Sequence, residues 1–157
     1  SSSSRGLGDV YKRQVKIDNT IKSEINKGLI VYLGIHNKDN DDDISYIIKK
    51  ILNLRAFSNE KNKFDLSVSD LKLQLLIISN FTLNAITRTG NRPEFSNAMS
   101  PKDAKITYDK FIYEISKYHN HISTGEFGGN MIVESINDGP INIIINSFDK
   151  DIPRNNF

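Results

Sequence analysis

Cysteine is absent from all 157 residues. That single absence removes disulfides, thiol nucleophiles, sulfur-ligated zinc and iron–sulfur clusters, and it fits a cytoplasmic protein. Tryptophan is missing too, and there are three histidines. No apolar run reaches the ~18 residues that span a bilayer. The chain carries no H-E-x-x-H, no G-x-S-x-G and no Walker or Rossmann glycine loop. Gly125, Gly128 and Gly129 have the wrong spacing for a phosphate cradle. Excess charge of one sign is also lacking. The net charge of +2 neither demands a nucleic-acid partner nor excludes a local basic patch.

What is present is ordinary for a globular domain. The composition is 38% hydrophobic and 25% charged, so a packed core is within reach of one domain of this length. Residues 1–14 (S-S-S-S-R-G-L-G-D-V-Y-K-R-Q) lack the apolar centre of a signal peptide and read as a foreign leader joined near Val15. A single domain is expected over residues 15–149, followed by a loose polar tail, 150–157.

V-K-I-D and I-K-S-E-I alternate on either side of Asn19 and Thr20, which predicts a hairpin. Residues 28–35 (G-L-I-V-Y-L-G-I) form a continuous apolar run and predict a strand buried on both faces. Asp41, Asp42 and Asp43 precede Ile44, Ile47, Ile48 and Ile51. That spacing predicts an amphipathic helix with acids at its positive end. Residues 59–62 predict a polar loop, 71–79 a second strong strand and 84–100 an ordered loop. Ser100-Pro101 opens a helix with Tyr108, Phe111, Ile112, Ile115 and Tyr118 on one face. Residues 131–136 and 141–146 predict strands around a turn at Gly139-Pro140. Strands at both ends and no βαβ repeat give an α+β protein with two helices and a mixed or antiparallel sheet.

Few residues carry chemistry on their own. His119-x-His121 reads as a metal fragment or as a solvated helix end. Asp41 to Asp43 read as a cation site or as helix-terminal acids. S-N-F-T-L (Ser79 to Leu83) ends an apolar strand with two hydroxyls, an amide and a phenyl ring, which either builds a site or ends a strand. G-N-R-P-E-F (Gly90 to Phe95) is a surface turn or a phosphate contact. Gly139-Pro140 is a hairpin corner or a backbone tool. Proline cannot donate to a ladder, and glycine lets a ligand approach closely.

In chain order, K-G-L-I-V-Y-L-G-I, R-A-F, F-D-L-S, S-N-F-T-L, G-N-R-P-E-F, G-E-F-G-G-N-M-I-V and N-D-G-P-I-N resemble the D-aminoacyl-tRNA deacylase family across residues 15–147. The resemblance implies a barrel-like α+β fold and a metal-independent homodimer without cofactors. It implies hydrolysis of the ester joining a D-amino acid, or glycine mischarged on tRNA-Ala, to the terminal adenosine of tRNA. A Gly–cis-Pro segment, here Gly139-Pro140 flanked by Asn137 and Asn142, would cross into the partner's site and reject L-amino acids. Ser79, Asn80, Phe81 and Thr82 would form the catalytic turn, with the Phe81 amide in the oxyanion region. Thr82 matches a residue proposed in the family as a nucleophile, but no base stands near it in sequence, which favours attack by water. Phe95 and Met131 are adenosine-pocket walls or plain core, and Arg92 is a tRNA contact.

The chain departs from the family at several positions. Asn80 replaces Gln, Asn142 replaces the Thr of G-P-x-T, and Asp65 stands where Asn is usual. The family's first-strand Gln-Arg pair, whose arginine braces the Gly-Pro loop, aligns with Gly8-Asp9. These departures support a rival reading: a catalytically impaired relative that binds nucleic acid or a protein.

Overall fold

A computed structural model describes residues 13–154. Residues 1–12, most of the expected leader with Gly8-Asp9, and 155–157 lie outside the described residues. Eight strands and two α-helices follow the order β1 (Arg13–Ile17), β2 (Thr20–Ile25), β3 (Gly28–Leu33), α1 (Asp41–Asn53), β4 (Phe57–Ser58), β5 (Phe64–Leu66), β6 (Gln74–Ser79), α2 (Pro101–Ser116), β7 (Ile122–Thr124) and β8 (Ile132–Glu134). Arg13 and Gln14, assigned to the leader by sequence, are the first residues of β1, and the Arg13 guanidinium donates to the Gly28 carbonyl.

Two three-stranded sheets carry the fold: β2-β1-β8, and β3-β6-β7. The first is antiparallel and the second parallel, so the architecture is α+β with mixed pairing. The sheets lean together, with the Ser23 hydroxyl donating to the Thr124 carbonyl, but no ladder among the described residues closes them into a barrel. The β1–β2 hairpin turns at Asp18 and Asn19, both with positive φ, a conformation these residues tolerate.

β6 is the central strand of its sheet. Leu75, Leu76, Ile77 and Ile78 are at most 2% exposed, because alternate side chains enter two different cores. Leu75 and Ile77 pack with Ile44, Ile48, Ile51, Phe111 and Ile115 from the helices. Leu76 and Ile78 pack with Val15 and Ile25 from the other sheet. Two-faced burial therefore belongs to β6. The prediction for β3 is corrected: it is an edge strand among the described residues, and Tyr32 is 46% exposed.

α1 begins where the acids predict. Asn40 caps it, its side chain accepting from the Asp42 and Asp43 amides, and the Asp43 carboxylate accepts in turn from the Asn40 backbone amide. α2 begins at Pro101 with Ser100 as cap, and Tyr108, Phe111 and Ile115 are buried. Tyr118 is not on that face, since the helix ends at Ser116. His119 is likewise not a solvated helix end. It is buried, with Nε2 2.7 Å from the Leu73 carbonyl. The strand predicted from residue 71 starts at Gln74, after a turn in which Lys72 has positive φ. Residues 141–146 pair with no strand among the described residues. A 3₁₀ turn, Ser147–Asp151, then packs on α1, with Lys150 of the expected tail 2.9 Å from the Asp43 carboxylate.

Candidate active site

The parallel pairing of β3 with β6 brings two strand ends to one level. Leu33 lies opposite Ser79, and the Asn80 amide donates to the Leu33 carbonyl at 2.8 Å. The chain then coils into a 3₁₀ turn, Phe81–Asn84. Gly34 permits this. A Cβ there would stand 3.0 Å from both Leu83 Cβ and Asn84 Nδ2, and 3.3 Å from the Asn80 carbonyl oxygen. Sequence reasoning quoted Gly34 within a strand motif but missed this role, because the close approach comes from a segment almost fifty residues away.

At this corner the Thr82 hydroxyl donates to Asn80 Oδ1 at 2.5 Å. An amide oxygen is not a base, so the hydroxyl is held rather than activated. The Phe81 and Thr82 amides, first in the 3₁₀ turn, make no hydrogen bond among the described residues. The turn has no side-chain cap. Two backbone donors are thus left without a partner among the described residues, beside Ser79, which is half-buried. Asn84 Nδ2 is buried without a partner among the described residues.

Aromatic surface borders these donors. Phe81 is 58% exposed and meets Phe95 edge-on, with ring centroids 5.0 Å apart. Phe95 is held by the loop that leaves the 3₁₀ turn. Ile86 and Glu94 exchange backbone hydrogen bonds at 2.7 and 3.0 Å, closing an excursion that carries exposed Arg92 at its tip. Gly90, with φ of 71°, makes the bend. Met131 lies elsewhere. Its sulfur accepts from the Glu126 amide at 3.4 Å, fills the space a Cβ on Gly125 would need, and packs with the core that includes Ile78. A surface depression of about 520 Å³ beside α2, lined by Met99, Asp103 and Ile106 among others, shares no residue with the Ser79–Thr82 corner.

The second group of predicted residues forms its own exposed turn. The Gly139–Pro140 peptide bond is cis. Gly139 has φ of 120°, and a Cβ there would lie 2.7 Å from Ile141 Cγ1. Asn137 and Asn142 are tied to one another, Nδ2 to Oδ1, at 2.8 Å. No hydrogen bond among the described residues joins this turn to Ser79–Thr82 of the same chain. Asp65, a departure from the family pattern, sits between Arg55 Nη1 at 3.1 Å and Asn59 Nδ2 at 3.4 Å, on the surface. His119 and His121 lie with ring centroids 6.2 Å apart, and the described residues contain no group of three side chains suited to a metal.

Known proteins share both the motifs and the fold. The sequence model of the D-Tyr-tRNA(Tyr) deacylase family matches residues 7–146. A D-aminoacyl-tRNA deacylase of Finegoldia magna is 47% identical over 138 residues, covering 88% of this chain and 93% of the relative. Its counterpart in Aquifex aeolicus is 44% identical over the same shares. Among solved structures, the c-Myc DNA unwinding element binding protein superposes with a TM-score of 0.80 at 35% identity, over 84% of this chain and 90% of that one. A probable eukaryotic D-amino acid tRNA deacylase has the same fold at 13% identity, with a TM-score of 0.68 over 81% and 89%.

Proposed function

Because this chain belongs to the D-Tyr-tRNA(Tyr) deacylase family, we propose that it hydrolyses D-aminoacyl-tRNA, and glycine mischarged on tRNA-Ala, as a cytoplasmic proofreading enzyme. The observation that carries this reading is the corner at Ser79–Thr82. Two backbone N–H groups without a partner among the described residues stand beside exposed Phe81 and its half-buried neighbour Phe95, with no carboxylate, imidazole or amine among Ser79–Thr82 to act as acid or base. Such a corner suits an ester that is already activated, where positioning and oxyanion donors supply the rate.

Water adds to the ester carbonyl, and the developing oxyanion accepts from the Phe81 amide, with Ser79, Asn80 and Thr82 shaping the turn. The carbon–oxygen bond to the adenosine then breaks. The proton lost by water reaches the departing ribose oxygen, assisted by the neighbouring 2′-hydroxyl. Adenine rests against Phe95, and Arg92 meets a backbone phosphate, while Met131 belongs to the core rather than to this pocket.

Gly139-Pro140, between Asn137 and Asn142, enters the same site from the partner of a homodimer. Backbone carbonyls of this turn hold the substrate ammonium and leave an L side chain facing the wall, so selection works by rejection. Glycine has no side chain to reject. The exposure of the turn, and the absence among the described residues of any hydrogen bond from it to Ser79–Thr82 of its own chain, support an origin in the partner.

The test is deacylation of D-Tyr-tRNA, L-Tyr-tRNA and Gly-tRNA-Ala by purified protein, with and without EDTA. Release of D-Tyr and glycine, sparing of L-Tyr and indifference to chelator are expected. Equal loss of D and L substrates sinks the chiral reading. Tight RNA or DNA binding without release favours the catalytically impaired relative.

A further inference from the structure

The Gly139-Pro140 turn has little to hold it. Residues 134–144 are all exposed, β8 ends at Glu134, and no ladder follows among the described residues. Two side-chain hydrogen bonds span the turn, and both come from Asn137. Its Oδ1 accepts from the Ile141 amide at 3.3 Å, and its Nδ2 donates to Asn142 Oδ1 at 2.8 Å. One amide thus fastens the chain on the far side of Gly139 and Pro140 at two points. The pair also fixes the Asn142 orientation, because the flipped amide would set one donor against another.

From this geometry we infer that Asn137 and Asn142 are a positioning clamp: they hold the Gly139-Pro140 backbone in the shape that discriminates D from L substrates, and do not themselves touch the substrate. The inference rests on the deacylase reading and deepens it. It also gives the Asn142 departure a physical role. The clamp requires an acceptor at position 142, and the asparagine oxygen supplies one.

The clamp makes separable demands on its two members. At position 142 an acceptor oxygen suffices, so Asn142→Asp and Asn142→Thr keep the bond and Asn142→Leu removes it. At position 137 both ends of the amide are in use. Asn137→Asp keeps the acceptor for Ile141 and can take a bond from the flipped Asn142 amide, whereas Asn137→Ala removes both bonds.

The experiment measures kcat/KM for D-Tyr-tRNA and L-Tyr-tRNA separately on these variants, with thermal unfolding as a control and amide exchange at Ile141 as a second readout. Asn142→Leu and Asn137→Ala are expected to lower the D-over-L ratio by roughly tenfold, about the factor one neutral hydrogen bond commands. Asn142→Asp and Asn142→Thr should retain the ratio. Asn137→Ala should speed exchange at Ile141.

An unchanged ratio in a folded Asn142→Leu protein overturns the proposal. So does an Asn142→Asp variant as impaired as Asn142→Leu, since that points to direct contact through the amide nitrogen. If Asn142→Leu fails to fold, Asn137→Ala against Asn142→Asp decides. A wild-type protein that spares D-Tyr-tRNA defeats the deacylase reading and the clamp's role together, whereas Ile141 exchange then still reports whether the clamp forms.

Discussion

Thr82 and Phe81 are adjacent, but they make different kinds of contribution. The Thr82 hydroxyl is spent on Asn80 Oδ1, so Thr82→Ala should reduce turnover less than about tenfold, far from the ~10⁶-fold that loss of a true nucleophile costs. Phe81 offers a backbone donor and a ring, which two variants separate. Phe81→Pro removes the N–H and should lower kcat by about 10²–10³-fold, the usual loss for one oxyanion donor. Phe81→Ala keeps the N–H, removes the edge-on contact with Phe95 and should act mainly on KM. Single-turnover and steady-state kinetics on D-Tyr-tRNA distinguish the three.

Tyr108 illustrates a residue whose chemistry is structural. Its hydroxyl donates to the Ile77 carbonyl at 2.9 Å, and burial, aided by nearby Asp109, pushes the phenol up to about 12 from an ordinary 10.0. The folded pKa is the higher one, so the neutral phenol's contribution to stability is complete below pH 10 and is lost as pH rises toward 12. Tyr108→Phe should cost about 1 kcal/mol near neutrality and flatten the alkaline limb of the stability curve. Thermal unfolding across that pH range checks both.

At the scale of elements, the parallel β3–β6 pair positions the site. Gly28 starts that pairing opposite Gln74, where a Cβ would fall 1.9 Å from the Gln74 carbonyl oxygen. Backbone cannot step aside as a side-chain tip can. Gly28→Ala should therefore cost roughly 1–3 kcal/mol or more, and because Leu33 and Asn80 lie at the other end of the same pair, activity should fall with it. Denaturant titration and deacylation of one preparation test the link. The 3₁₀ turn on α1 responds to acid instead. Burial pushes the Asp43 carboxyl up, but bonds from Lys150, the Asn40 amide and the Ser147 hydroxyl outweigh it and hold the group below its ordinary 3.8. A depressed folded value gives stability that is present at neutral pH and lost as pH falls through it. Lys150→Met should move the acid-unfolding midpoint upward, read by circular dichroism.

The elements that could be read from sequence are those with an internal signal. α1 and α2 declare themselves by period and cap, and β6 by four consecutive apolar residues. β7 (I-S-T) and the short β4–β5 hairpin were missed because so few residues leave no periodicity. His119 was misjudged from its polar neighbours, since only the fold brings it against the Leu73 carbonyl. The motifs singled out Ser79–Thr82 as the proposed catalytic turn, but the Asn137–Asn142 bond joins residues five apart in irregular chain, a spacing no periodic pattern marks.

At the scale of the whole molecule, one chain leaves work undone. Ile132, Ile136, Ile141, Ile143 and Ile144 are all exposed, Ile144 to 97%, along the stretch that carries Gly139-Pro140. The β-branched pattern at 141–146 is a strand pattern without a strand, which is what a segment completed by a second copy would show. Ile144→Glu should leave the monomer folded, shift sedimentation toward single chains and lower deacylation by a factor that shrinks as protein concentration rises.

The same segment has a consequence for a chain caught alone. Proteases bind their substrates as extended strands, by backbone bonds along an edge. Residues 141–146 lie outside every ladder among the described residues, tethered by the Asn137 bonds on one side and the Lys150–Asp43 pair on the other. On the homodimer proposed above, a solitary copy would offer a ready cleavage site and would lose it on finding a partner, so the lifetime of each molecule would be set by how many others surround it.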